Sequence, residues 1–223
     1  MSLRTPKAFA SSLLATAFAA AAFVSVLSGC APLVIGGAAA SAALVATDRR
    51  TSGTQLEDEG IELRAASNLR GTFGDRAHIN VTSYNRRVLL TGEVPSEDAK
   101  RQAEQVVARV ENVSSVVNEL GVLGVSTLTQ RSSDALVTGK VKASIVDAAD
   151  LQINAFKVLT ERGTVYLMGR VTQREADKVT QIARNVGGVQ RVVRVFEVVP
   201  EAELRQIQTT APAPQPPASA TTR

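Results

Sequence analysis

The sequence predicts an α+β protein: two tandem α-β-β-α-β units, each a three-stranded mixed sheet packed on two helices. Three observations predict it. Apolar residues recur at helical spacing in four stretches between residues 57 and 186. Short Val/Ile/Leu-rich segments lie between those stretches, as strands require. The whole pattern then occurs twice, at an offset of about 76 residues, too long for solenoid units and suited to a duplicated small domain.

In the first copy, a helix is expected over Glu57 to Leu69, with Ile61, Ala65 and Leu69 on one face. Strands follow at Ala77 to Tyr84 and Val88 to Val94, with Arg86 and Arg87 near the turn. Ser96 is placed to cap a second helix, with Glu97 and Asp98 favourable in its first turn and a stripe of Ala99, Ala103, Val106, Val107 and Val110. A strand over Ser114 to Val122 closes the unit.

In the second copy, Asp134 is read as the cap of a helix carrying Val137, Val141 and Ile145. Strands are expected over Leu151 to Thr160 and Gly163 to Val171. Thr172-Gln173-Arg174-Glu175 forms a capping box for a helix striped by Ala176, Val179, Ala183 and Val186 and ended by Gly187-Gly188. The last strand spans Val189 to Val199. Matching Ile79-Asn80 to Ile153-Asn154 and Gly92 to Gly169 implies a three-residue insertion in the second hairpin, around Thr160 to Gly163. Each unit of about 65 residues is marginally self-sufficient, so packing the copies together would help both.

The ends differ from this middle. Arg4 and Lys7 precede an apolar run that closes at Leu27-Ser28-Gly29-Cys30, and no charged residue occurs from Ala8 to Thr47. This is the layout of a secretory signal, and the same run is long enough to span a bilayer as a helix. Leu-Ser-Gly-Cys resembles the lipobox of bacterial lipoproteins, which implies cleavage after Gly29 and acylation of Cys30, with residues 1–29 the signal peptide. By the same resemblance, Ala31 after the Cys favours the outer membrane. Residues 30–54 are then an acylated Cys and apolar tether, lying against the membrane. Five of the eight prolines fall from Pro200 on, so residues 201–223 are expected to be a disordered tail.

Composition removes several functions. One Cys and one His exclude a disulfide framework, a multi-Cys metal site and a multi-His centre. There is no Gly-x-x-x-x-Gly-Lys phosphate loop and no Gly-x-Ser-x-Gly elbow. His78 is read as an ordinary strand residue facing away from Ile79, and Glu57-Asp58-Glu59 as a charge run favoured at a helix N-terminus. The chain is therefore read as no enzyme, with no catalytic residue, no cofactor and no metal site. Without residues 1–29 it carries 23 bases against 21 acids, a balance that gives no reason to expect nucleic acid.

The repeat, the strand-ending Gly92 and Gly169, and the Gly-Val-x-x-Val run at Gly188–Val192 resemble BON domains; the first copy departs with Asn112 in place of Gly188. With Ala46-Thr47-Asp48-Arg49-Arg50-Thr51-Ser52-Gly53-Thr54-Gln55 and Val171-Thr172-Gln173-Arg174-Glu175-Ala176, the chain is similar to the dual-BON lipoproteins of Gram-negative outer membranes. That resemblance implies BON domains at 55–124 and 132–200, a lipid anchor, a periplasmic location and binding of anionic phospholipid membranes by the first helix of the second domain.

Charge points the same way. Residues 57–122 carry 8 bases and 11 acids, whereas residues 134–199 carry 10 bases and 7 acids. On the first helix of the second copy, Leu136 and Lys140 are i, i+4 neighbours, with Lys142 close round the helix. By the resemblance Leu136 stands where a relative has an aromatic anchor. Leu136, Lys140 and Lys142 are the candidate phospholipid-binding residues; the other reading packs Leu136 against the first copy. An alternative function is a periplasmic scaffold for outer-membrane assembly or division proteins, docking on the acidic first copy or a sheet edge.

Overall fold

The computed structural model describes residues 48–210. The expected signal peptide, the acylated Cys30, the tether as far as Thr47 and the prolines from Pro212 lie outside the described residues.

The first copy consists of α1 (Ser52–Phe73), β1 (His78–Tyr84), β2 (Arg87–Val94), α2 (Glu97–Ala108), β3 (Ser115–Asn118) and the short β4 (Gly121–Val122). The second consists of α3 (Leu128–Val146), β5 (Phe156–Glu161), β6 (Thr164–Val171), α4 (Gln173–Arg184) and β7 (Arg191–Val198), followed by α5 (Glu201–Thr210). Both hairpins are antiparallel, and each third strand joins the central strand in parallel through a crossover helix. The sheet orders are β1-β2-β3, with β4 also on β2, and β5-β6-β7.

The central strands are buried on both faces, and their alternation sorts residues into three cores. Val88, Leu90 and Val94 face α1 and α2 with Ile61, Ala65, Ala103 and Val107. Val165, Leu167 and Val171 face α3 and α4 with Val137, Val141, Ile145 and Val179. The residues between them point the other way: Leu89 of β2 meets Tyr166 and Met168 of β6 and Val195 of β7. The two sheets thus pack face to face, with helices outside. Polar bridges rim this contact, among them Lys157 Nζ to Glu62 at 2.6 Å and Asn85 Nδ2 to Glu197 at 2.6 Å.

Several details correct the sequence reading. Helix α1 starts at Ser52, inside the stretch assigned to the tether, because the Thr51 side chain accepts from the Thr54 N–H. Helix α3 starts at Leu128, where Thr127 and Gln130 form a reciprocal capping box, so Asp134 lies inside the helix and is no cap. Helix α4 ends at Arg184, before the glycine pair. The expected tail begins as a helix, α5, whose Leu204 is buried. Phe156 lies opposite Gly169 just as Ile79 lies opposite Gly92, so the counterpart of Ile79 is Phe156 and not Ile153. Both hairpins close on two-residue turns and no insertion sits there; Ile153–Ala155 is a 3-10 turn ahead of β5.

The turns explain Asp58 and Asp134. Asn85 and Arg86 both have positive φ (50° and 65°), as do Arg162 and Gly163 (47° and 69°), the geometry of a tight hairpin turn. A buried helix carboxylate collects the freed turn amides. Asp58 accepts from Asn85 N at 2.8 Å and Arg86 N at 2.7 Å, and Asp134 from Arg162 N and Gly163 N, each at 2.8 Å. Asn112 has φ 67° where Gly188 has φ 101°, so the departure from the repeat keeps the left-handed conformation that Asn tolerates.

Ahead of α1, two arginines fasten the chain to both copies. Arg49 forks onto Glu175 at 2.8 and 2.6 Å and reaches Arg170 O at 2.8 Å. Arg50 pairs with Asp58 at 2.8 Å and stacks over the Tyr84 ring, 4.3 Å from its centroid.

Candidate functional site

Helix α3 has two apolar faces. Its inward face is set by Val137, Val141 and Ile145, which with Asp134 are buried. Its outward face carries Leu128, Leu136 and Val146, exposed to 80%, 69% and 61%, with exposed Ala135, Gly139 and Ala143 between them. A soluble helix normally turns polar residues outward, so a second apolar stripe asks for an occupant.

Lys140 and Lys142 are exposed on either side of this stripe. In the second copy Lys157 pairs with Glu62 and Lys178 with Asp150, whereas Lys140 and Lys142 have no acidic partner among the described residues. The one acid within α3 is Asp134, which is buried and already accepts two backbone amides. The outward face therefore combines apolar area with two positive charges that have no ion-pair partner, and the exposed carboxylate nearest to it in the chain is Asp147 at the C-cap of α3. Beside it, a groove of about 610 Å3 runs between α3 and α4, with Ile182 and Val186 as apolar lining and Lys140, Ser144 and Asn185 as polar lining.

The BON domain model matches residues 58–124 and 133–200, both copies of the repeat. The chain belongs to the BON-domain family. It is 40% identical over 173 residues to the outer membrane lipoprotein DolP of Haemophilus influenzae, covering 77% of this chain and 89% of that one. It is 35% identical over 154 residues to a 21 kDa hemolysin of Actinobacillus pleuropneumoniae, covering 68% and 79%. The osmotically-inducible protein Y of Escherichia coli is 31% identical over 117 residues, covering 51% of this chain and 58% of that one.

Within this dual-BON chain, the three expected contact residues lie together on α3 of the second BON domain. Leu136 points outward and does not pack on the first BON domain. Leu128 and Val146 extend the surface at both ends; the sequence reading missed Leu128 because it began the helix too late, and Val146 because it did not fix where the helix ends. The Thr127-Leu128-Thr129-Gln130 capping box was the signal that could have placed the start. Cys30 lies outside the described residues.

Helix α1 of the first BON domain shows what is particular about α3. It also exposes leucines, Leu56 at 71% and Leu63 at 74%, but beside acids, including Glu57, which pairs with Arg64. The Asn112 and Arg64 hydrogen bonds hold the Glu57 carboxyl below the usual range. Equivalent helices therefore carry similar apolar exposure under opposite charge. His78 does face away from Ile79, as expected, but it is no bystander: its Nδ1 lies 3.0 Å from Glu93 Oε2.

Proposed function

We propose that this chain is a non-catalytic outer-membrane lipoprotein that binds anionic phospholipid through α3 of its second BON domain and so supports envelope integrity. It is anchored through an acylated Cys30, with both domains in the periplasm. The observation that carries the reading is the outward face of α3, where Leu128, Leu136 and Val146 stand exposed beside Lys140 and Lys142. The likeness to an outer membrane lipoprotein over most of both chains supports the location. Among the described residues no helix is long and apolar enough to cross a membrane, so the contact proposed is interfacial.

The energetics suit a tethered binder. Burying one leucine side chain contributes about 1.5–3 kcal/mol, and each base near an anionic surface about 1 kcal/mol. Such terms give a weak site alone and a saturated one when an acyl anchor holds the domain at the surface.

The test uses the compact unit from Ala46 to Ala213, without its anchor. It is sedimented with phosphatidylglycerol vesicles and, separately, with phosphatidylcholine vesicles, as parent and as Leu136→Glu. Selective binding to the anionic vesicles, reduced at least about tenfold in the variant, is expected. Failure to bind either vesicle would refute the proposal, and binding that survives the substitution would remove α3 from it. A second reading, docking of a protein of the assembly or division machinery, is favoured by exposed Leu56 and Leu63 on the acidic helix α1.

A further inference from the structure

On the rim of the sheet-to-sheet contact, three side chains able to ligate a metal meet across the two domains. His78 opens β1 and Glu93 lies near the end of β2, both in the first BON domain; Glu161 ends β5 in the second. One ligand atom from each lies within 4.8 Å of the others, and His78 Nδ1 is 3.0 Å from Glu93 Oε2. Both carboxylates are buried, Glu93 at 1% and Glu161 at 9% exposure.

The surroundings hold these groups in place. Glu93 accepts from Arg162 Nε at 2.5 Å and from Ser126 Oγ at 3.3 Å, and Glu161 accepts from Asn80 Nδ2 at 2.9 Å. Ligand side chains oriented by outer hydrogen bonds are what a metal centre needs. A cavity of about 430 Å3 opens onto His78 and Glu161, with Asn80, Arg131, Asp134 and Thr138 also on its wall, and gives an ion a way in and a place for water.

The two carboxylates are not matched alike. Arg162 pairs with Glu93, but Glu161 has only the neutral Asn80 amide.

We propose that His78, Glu93 and Glu161 bind a divalent transition-metal ion of the zinc class and that this ion ties the two BON domains together. One imidazole nitrogen and two carboxylate oxygens form a set that zinc accepts, with a fourth position left toward the cavity. The site lies at the interdomain rim and does not use the residues of the outward face of α3, so its test is independent of the vesicle experiment.

The experiment uses the untagged full chain carrying Cys30→Ser, so that the lone thiol takes no zinc. Zinc is titrated in competition with a chromophoric chelator, and the thermal midpoint is measured with and without the ion. The expected result is one zinc per chain, bound at micromolar affinity or tighter, with a raised thermal midpoint. His78→Ala should weaken binding at least about tenfold and abolish the thermal shift. Glu161→Gln, which keeps the side-chain shape, should do the same and carries the test if the alanine variant fails to fold by circular dichroism. Absence of saturable binding, or binding that the folded variants leave unchanged, would overturn the proposal.

Discussion

Asp58→Asn isolates the device that closes the first hairpin. One carboxylate oxygen accepts from Ser83 Oγ at 2.6 Å and Arg86 N at 2.7 Å, and the other from Asn85 N at 2.8 Å and Arg50 Nη1 at 2.8 Å. All four partners donate. An amide in the same place can accept on one side only and must present its own N–H groups to the other pair. Keeping Ser83 and Arg86 strands the Asn85 amide and turns a donor on Arg50, which retains Asp48. A buried donor without a partner costs about 1–3 kcal/mol, and loss of the ion pair from a residue 1% exposed adds to it. The expected loss is about 3 kcal/mol, a fall of roughly 6–12 °C in Tm for a body of this size. Asp134→Asn should cost less, about 1–2 kcal/mol, because it strands a single turn amide and breaks no ion pair with an arginine side chain. Urea unfolding followed by circular dichroism measures both. If Asp58→Asn costs under about 0.5 kcal/mol, as an ordinary surface change would, or if Asp134→Asn proves the worse, the latch argument is wrong.

Two further outcomes follow from the same geometry. Burial tends to raise the Glu175 carboxyl, but hydrogen bonds from Arg49 and the Thr172 N–H outweigh this and leave it below its usual range. A carboxyl depressed in the fold stabilises above its unfolded pKa and loses that contribution as pH falls through the folded value. The stability gap between parent and Glu175→Gln should therefore be full at pH 7 and close below about pH 4; a gap that widens with acid would contradict this. Gly92→Ala should destabilise by more than about 3 kcal/mol, because φ is 109° and an added Cβ would sit 2.1 Å from His78 O. Wild-type-like thermal unfolding of that variant would show that the strand relaxes freely.

The order of elements was legible because α1 to α4 carry their core residues at i, i+3 or i, i+4 spacing and each central strand is a short apolar run. Its limits have physical causes. The start of α1 was hidden because Gly53 and Gly60 dilute the helical signal before Ile61. The hairpin register was misread because a shared Ile-Asn pair was weighed above cross-strand position, and only pairing with Gly169 shows that Phe156 holds the place. Asp58 shares a face with Ile61, Ala65 and Leu69, and a carboxylate on a core face signals a fixed partner, so the latch could have been found from spacing. The Arg49–Glu175 pair could not, since 126 residues separate its members. Of the candidate surface, Leu136, Lys140 and Lys142 were read from the sequence, whereas Leu128 and Val146 depended on knowing where α3 begins and ends.

Arg49 is fastened to the second domain and Arg50, the next residue, to the first. Tension arriving along the chain from its N-terminal side is therefore divided between the domains at one point. A chain fastened to a single domain would let the other swing as a pendulum. Here the second domain is held by the buried two-pronged Arg49–Glu175 pair and the first by the Arg50–Asp58 pair, so the joint works as a yoke. Under the anchoring proposed above, the outward face of α3 would keep its bearing relative to the direction of pull, a defined attitude set by two adjacent side chains.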